Sequence, residues 1–569
     1  MKNKYINLLA VVGLAFGATS CVDMDLAPLD EKSDATMWET ASDVQSAVYE
    51  LYTYLPEAIW GTDEDVYTDN AVHGIKWAVS QQAHGLWIPT EFSWSTEYTY
   101  IRYANLILEN AEKANLTDSQ RNNFLGNAYF FRAYIYFELI KQFGDVPLVL
   151  KPLTLEDQAD ITRTNWETVY NQVMEDYDKA IQMLPQTSAS AGMVNSLVAQ
   201  AFKAKAALYF ANPDCPHYVA NGYQTAVNAT QAVINSGQYG LYDEGYSGTA
   251  ANYTGNYASM FWDLNIANSN ESLLTRSSIA GLNGSYYIGF ECYPTIGWGG
   301  TNPTQSFLDC FEDCYGAPIE KSTVYDPLKP WENRDPRLGV NVIFSGQELY
   351  GLQVNTAPLP SSGVRGIYGL TAESCGDATL TGYHTKKWLN PDVYPETDGW
   401  DHSVASSNMR FTEVLLMFAE AKNEISPLDP EAFAAVNRVR ARVGMPALQN
   451  SDPSSPTYCA TQDDLRQRIR NEFRVEFGFE GNHRQWDARR WNIATDVLNA
   501  DRYGYRFTLR NDPSAALPGD DGQVCDLYVG EPILVTDQII RYSSHNYLYP
   551  VPQDEIDLNP NITQNPGYD

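Results

Sequence analysis

NEFRVEFGFEGNHRQWDARRW (residues 471–491) packs arginines, carboxylates, a histidine and two tryptophans into a segment of helical character. Arg484 and Asp487 stand three residues apart, as do Asp487 and Arg490, and Arg484 lies seven residues before Trp491. Residues 482–491 therefore wind a charged stripe down one face of a helix. Glu472 and Glu476 form a second stripe on a preceding helix, and Gly478 with Gly481 lets the chain turn between the two. So dense a set of acids and bases could serve catalysis. The helical spacing favours another reading, in which ion pairs and aromatics are buried between two helices. Such pairs are costly to desolvate, so they are fully hydrogen-bonded and act to specify how helices dock. The segment is expected to be a structural clasp within a helical scaffold.

Outward from the clasp, apolar residues recur at helical spacing while period-two alternation is scarce. Residues 39–55 place Val44, Ala47, Val48, Leu51 and Leu55 on one face, and residues 95–114 form a second helix. Residues 120–142 set Phe124, Ala128, Phe131, Ile135 and Leu139 about one turn apart, then stop at Gly144 with Pro147 close behind. Further helices are predicted over 165–184, 195–211, 222–236, 410–426, 430–443 and 462–480. Alanines alternate with large apolar residues, the pattern of closely packed helix pairs in tetratricopeptide-type arrays, although no strict repeat of about 34 residues is present. The expected fold class is mostly α, tetratricopeptide-like helix pairs carrying long irregular loops and few short strands. Between about 240 and 400, Gly, Pro, Asn, Ser and Tyr take over and dictate turns. Ordered loops of such length tend to carry function. The chain beyond about 500 reads as loop again.

The N-terminus sets the compartment. Lys2 and Lys4 precede an apolar run from Ile6 to Phe16, then small residues and Cys21, the pattern of a secretory leader with lipid added to the cysteine sulfur. No other apolar stretch approaches the roughly 20 residues of a membrane span. A net charge of −33 argues against phosphate-backbone binding, so nucleic acid is set aside. With Cys21 removed from the 8 cysteines an odd number remains, without zinc-type spacing; Cys310 and Cys314 are the one close pair, open to a local disulfide or to idle thiols.

Four segments together carry a resemblance: FFRAYIYFELIKQFGDVPLV (130–149), RFTEVLLMFAEAKNEI (410–425), FAAVNRVRARVGMP (433–446) and the clasp. WENRDPRL (331–338), NPTQSFLDCFEDCYG (302–316) and LYPVPQDEIDLNPNITQNPGY (548–568) add to it. The ordered set resembles the SusD/RagB family, surface glycan-binding lipoproteins of Bacteroidetes. The resemblance implies a signal peptide over 1–20, a lipidated acidic tether over 21–36, and one SusD-like domain over 37–569. Within that domain the helical core covers about 37–240 and 405–495, the loop-rich ligand-facing part about 240–400, and an irregular C-terminal part 496–569. It implies an outer-membrane, cell-surface protein that captures an oligosaccharide or polysaccharide and delivers it to a SusC-like TonB-dependent transporter, without catalysis. The same scaffold admits a RagB-like peptide-import component. A secreted glycoside hydrolase is the alternative from another class. Cofactors are expected to be none, although family members sometimes hold a structural calcium.

A sugar ring offers a face of C–H bonds and a rim of hydroxyls, so its binder needs flat aromatic platforms beside amides or carboxylates. Two regions supply them. Residues 60–94 carry Trp60, Tyr67, Trp77, Trp87 and Trp94 among Asp65, Asp69, Asn70 and Gln81, and residues 283–302 carry Tyr286, Tyr287, Tyr293 and Trp298 between Asn283 and Asn302. Trp94 opens a helix and is expected to pack inside. Trp77 and Trp87 lie among Gly74, Gly85 and Pro89, and Trp298 among Gly297, Gly299 and Gly300, where glycines leave an indole bare of neighbours. The expected ligand contacts are Trp77, Trp87, Tyr287 and Trp298, with Tyr286 and Asn302 behind them. Catalytic and metal-binding residues are assigned to none: no G-x-S-x-G elbow occurs, the histidines are scattered, and DEDVYTD (63–69) and PGDDGQVCD (518–526) lack the calcium-loop spacing.

Overall fold

The computed structural model describes residues 37–56, 63–74, 84–154, 161–188, 192–283, 299–327, 330–344, 347–349, 352–353, 356, 379–392, 402–481, 483–511, 523–535 and 540–568. Its frame is helical. Helices α1 (Ala41–Tyr52), α2 (Ser95–Asn110), α3 (Asp118–Phe143), α4 (Trp166–Met183), α5 (Ser196–Tyr209) and α6 (Gly222–Ser236) form the first part. Helices α7 (Phe411–Ile425), α8 (Pro430–Ala441), α9 (Gln462–Phe477) and α10 (His483–Arg490) close the frame. These are the predicted helices, each within a few residues.

Helix α3 shows why they form. Thr117 and Gln120 exchange hydrogen bonds with each other's backbone in a capping box, satisfying two N-terminal donors. At the other end Gly144 takes φ +71°, a conformation that strains any side chain. Between them apolar residues cover nearly the whole circumference, so α3 is wrapped by its neighbours and forms the spine of the main core. Its pairing with α4 is close: a Cβ on Gly126 would lie 2.7 Å from Leu184 Cγ. A buried ion pair, Arg132 to Asp176 at 2.7 Å, fixes the register of that pair. The same device joins α5 to α6, where a Cβ on Gly222 would lie 2.7 Å from the Ala207 carbonyl oxygen.

Strands among the described residues pair only in twos, and apart from the last pair they are short. They are β1 (Ala71–His73) with β3 (Thr301–Pro303), β2 (Ser272–Ser278) with β8 (Val404–Arg410), and β4 (Val342–Ile343) with β7 (His384–Thr385). β5 (Glu348–Leu349) pairs with β6 (Leu352–Gln353), and β9 (Tyr503–Asn511) with β10 (Gln523–Leu534). The last pair corrects the expectation of loop beyond residue 500. Tyr503, Tyr505, Phe507 and Leu509 alternate with Gly504, Arg506, Thr508 and Arg510, which is a strand period, and the hairpin continues onto Thr381 through the Tyr505 N–H at 2.7 Å. Cys310 and Cys314 are free thiols, not a disulfide.

The clasp is built as expected in one half and differently in the other. Glu472 and Glu476 on α9 are both buried and receive guanidinium groups from three other elements: Arg337 and Arg440 meet Glu472, while Arg337, Arg410 and Arg442 meet Glu476. On α10, Asp487 pairs with Arg490 at 2.7 Å, and Arg490 and the Trp491 indole share Glu420 of α7. Arg484 does not complete the stripe. It reaches away from its own helix to Asp69, because a bidentate carboxylate partner satisfies its fork better than a neighbour one turn along.

Candidate functional site

β1 and β3 run antiparallel with His73 opposite Thr301, and the Gly74 N–H donates to the Gly300 carbonyl at 2.7 Å. The chain therefore leaves this ribbon toward Trp77 at the same end at which it returns from Trp298. Trp77 is three residues beyond Gly74 and Trp298 one residue before Gly299, so the two aromatic segments singled out in the sequence have a common root. Trp77, Tyr286, Tyr287 and Trp298 themselves lie outside the described residues, as does Cys21.

The other two expected contacts turn out to be internal. Trp87 is 9% exposed and sits edge-on to Phe92, Tyr542 and Tyr549, under the Arg489 guanidinium. Glycine at position 85 did not bare this indole, because the segment around Arg541–Tyr542 folds over it. Asn302 is fully buried. Its amide donates to the Gly299 carbonyl at 2.9 Å and its carbonyl accepts the Leu380 N–H at 2.8 Å, so it pins the root of both loops to a third segment. Packing around the pin is tight: a Cβ on Gly74 would meet the Gly299 carbonyl oxygen at 2.1 Å. Trp94 packs into the main core, as its helix-opening position implied.

Below the ribbon stand two buried aspartates. Asp65 accepts from the Asn70 amide at 2.8 Å and from the Phe479 N–H at 2.5 Å, and burial pushes its carboxyl up to about 7. Asp69 takes both arms of Arg484 at 2.8 Å and Arg474 at 3.0 Å; against the effect of burial, those guanidinium groups hold its carboxyl well below the usual range. Arg474 also donates to Asn70 at 2.7 Å, and the Arg502 guanidinium caps the Thr68 carbonyl. The clasp thus grips the base of the ribbon. Sequence reasoning placed Asp65, Asp69 and Asn70 beside a ligand; they are posts of the ribbon instead. The available signal was their position immediately before the apolar Ala71–Val72 pair, where a carboxylate has to be buried with a partner.

A cavity of about 500 Å³ opens between α3, α5, α7 and the clasp, walled by aromatics that include Tyr134, Phe137 and Trp486. Its acids are matched by cations: Glu138 by Lys141 at 2.6 Å, Glu413 by Lys205 at 2.9 Å and Glu480 by Arg410 at 2.7 Å. Glu97 differs, its carboxyl raised by burial and by the nearby Glu138. Groups of three or more His, Cys, Asp or Glu fit to hold a metal do not occur among the described residues.

A family model described as the SusD family matches residues 231–568, and one described as "Starch-binding associating with outer membrane" matches residues 28–211. SusD-like protein P2 of Formosa agariphila is 25% identical over 536 residues, covering 90% of this chain and 95% of that protein. A SusD-like protein from Bacteroides fragilis NCTC 9343 is similar in structure with a TM-score of 0.72 at 27% identity, covering 95% of this chain and 100% of that one. A SusD-like carbohydrate-binding protein from the same organism has a TM-score of 0.74 at 22% identity, covering 93% and 100%.

Proposed function

The chain belongs to the SusD family, and on that premise we propose that it is a cell-surface lipoprotein that captures oligosaccharides and passes them to a SusC-like TonB-dependent outer-membrane transporter. Trp77, Tyr286, Tyr287 and Trp298 form its sugar platform, and Cys21 carries the lipid. The observation that supports this reading is the shared root at Gly74 and Gly300, where two aromatic-rich segments from distant parts of the sequence depart from one two-stranded ribbon. Stacked aromatics beside amides suit a ring with one apolar face and a hydroxyl rim. The starch-binding description of one matching family model and the carbohydrate-binding B. fragilis neighbour point the same way. We read the protein as non-catalytic, because the buried acids of the clasp are, among the described residues, committed to guanidinium partners that hold the fold.

Titration calorimetry with a glycan chosen from an array tests the reading. W77A, the Y286A/Y287A double variant and W298A should each lower affinity by about tenfold or more, the scale of a truncated aromatic anchor, while melting stays unchanged. Unchanged affinity in all three would remove the site assignment. Binding of a peptide library with no glycan bound at all would replace it with the peptide-import alternative.

A further inference from the structure

A second cavity, of about 320 Å³, lies between the turn after α5 and the C-terminal strap and shares Lys141, Tyr209 and Arg490 with the first. Three cations line it, Lys141, Arg489 and Arg490, and no carboxylate does among the described residues. The rest of its wall is mostly apolar, formed by Tyr209, Phe210, Pro216, Tyr547, Leu548 and Pro566, with the polar His217 and Asn565 among them. Exposed Ser544 and His545 at the rim leave it open to solvent.

The charge within it is unevenly compensated. Lys141 is paired with Glu138 at 2.6 Å, and Arg490 with Glu420 at 2.6 Å and Asp487 at 2.7 Å. Arg489 is 2% exposed and has no carboxylate at ion-pair distance among the described residues. Its donors go to neutral acceptors, the Tyr542 hydroxyl at 2.9 Å, the Asn546 carbonyl at 3.4 Å and the Gln485 amide oxygen at 3.0 and 3.2 Å, and the rings of Trp87, Trp486, Tyr542 and Tyr549 surround it. Ring faces and neutral acceptors partly replace water around a guanidinium, but they leave a full positive charge beside an apolar cavity in a chain of net charge −33. Such a charge attracts an anion, and the apolar walls select one with a flat hydrocarbon body. The volume stands at the small end of the roughly 300–1,000 Å³ range of ligand sites, enough for one ring.

We propose that this cavity binds a one-ring carboxylic acid as its anion, with the carboxylate toward Arg489 and the ring between Phe210 and Leu548. The proposal does not rest on the sugar-binding reading. The test is calorimetry of the full chain at neutral pH with benzoate, with benzyl alcohol as its uncharged counterpart and with inorganic phosphate as an anion without an apolar body. Benzoate should bind saturably, and benzyl alcohol and phosphate each about tenfold more weakly or worse, the loss expected when a charge-assisted contact or the apolar contact is missing. R489Q should abolish benzoate binding. Because Arg489 is also packed among rings, S544E serves as the second variant: it adds a negative charge at the exposed rim, should weaken benzoate about tenfold without shifting the melting temperature, and S544Q should bind as the parent does. Absence of saturable benzoate binding, equal affinity for benzyl alcohol or phosphate, or an S544E variant indistinguishable from the parent would overturn the proposal.

Discussion

Asp65 and Asp69 stand one helical turn apart in sequence, both buried, and their carboxyls move in opposite directions. Asp65 accepts hydrogen bonds from neutral N–H donors, and the loss of water outweighs these and the nearby Lys387 and Arg474 charges, so its carboxyl rises to about 7. The folded protein then holds a proton that the unfolded chain releases near pH 4, and the Asp65 contribution to stability grows as pH falls from about 7 toward about 4. Urea unfolding at pH 8 and pH 5.5 should show the parent gaining about 1–2 kcal/mol on D65N at the lower pH. An identical difference at both pH values would show that Asp65 titrates normally. Asp69 has the reverse sign: held low by Arg474 and Arg484, its contribution is present above about pH 4 and is lost as pH falls further. D69N, leaving two buried guanidinium groups short of a charge, should cost about 3–5 kcal/mol at neutral pH, measured by the same unfolding. None of this was legible in the sequence, because Asp69 and Arg484 are 415 residues apart and helix spacing reports only on neighbours within a turn or two.

At the scale of elements, the helices were legible to within a few residues because their signals are local: an apolar stripe, a capping box at Thr117, a stop at Gly144. The ribbon of β1 and β3 was not, since three-residue strands paired across more than two hundred residues carry no period of their own. Its glycines were read as making room for exposed indoles. Gly74 instead makes room for the opposite strand, and Trp87, beyond it, is covered by the C-terminal segment. This gives the ribbon a specific weakness. G74A would force a Cβ into the Gly299 carbonyl, an overpacking that costs about 1–3 kcal/mol and moves the roots of both aromatic segments. Glycan affinity in G74A should therefore fall along with stability, while far-UV circular dichroism, dominated by helices, stays at the parent value. N302A should act similarly, since it strands the half-buried Leu380 N–H at a cost of about 1 kcal/mol. Full glycan affinity in a destabilised G74A would show that the root geometry does not govern the platform.

For the whole molecule, charge is divided between two populations that respond differently to salt. The chain carries a net charge of −33, and such an excess repels itself in the folded state. The clasp network holds its charges in matched, buried sets, with Glu476 at the meeting point of Arg337, Arg410 and Arg442. Its carboxyl is held far below the usual range by those three guanidinium groups despite full burial. Salt screens exposed charges over a Debye length of about 10 Å at 0.1 M but reaches buried pairs far less. The melting temperature should accordingly rise when sodium chloride is increased from about 0.01 M to about 0.5 M, because repulsion is relieved while the clasp is untouched. E476Q separates the two populations: it should lower stability by about 3–5 kcal/mol, the cost of breaking a buried ionic set, yet leave the salt-dependent rise intact. A melting temperature that falls with added salt would mean that exposed ion pairs, and not the buried network, bind the helical frame to the ribbon.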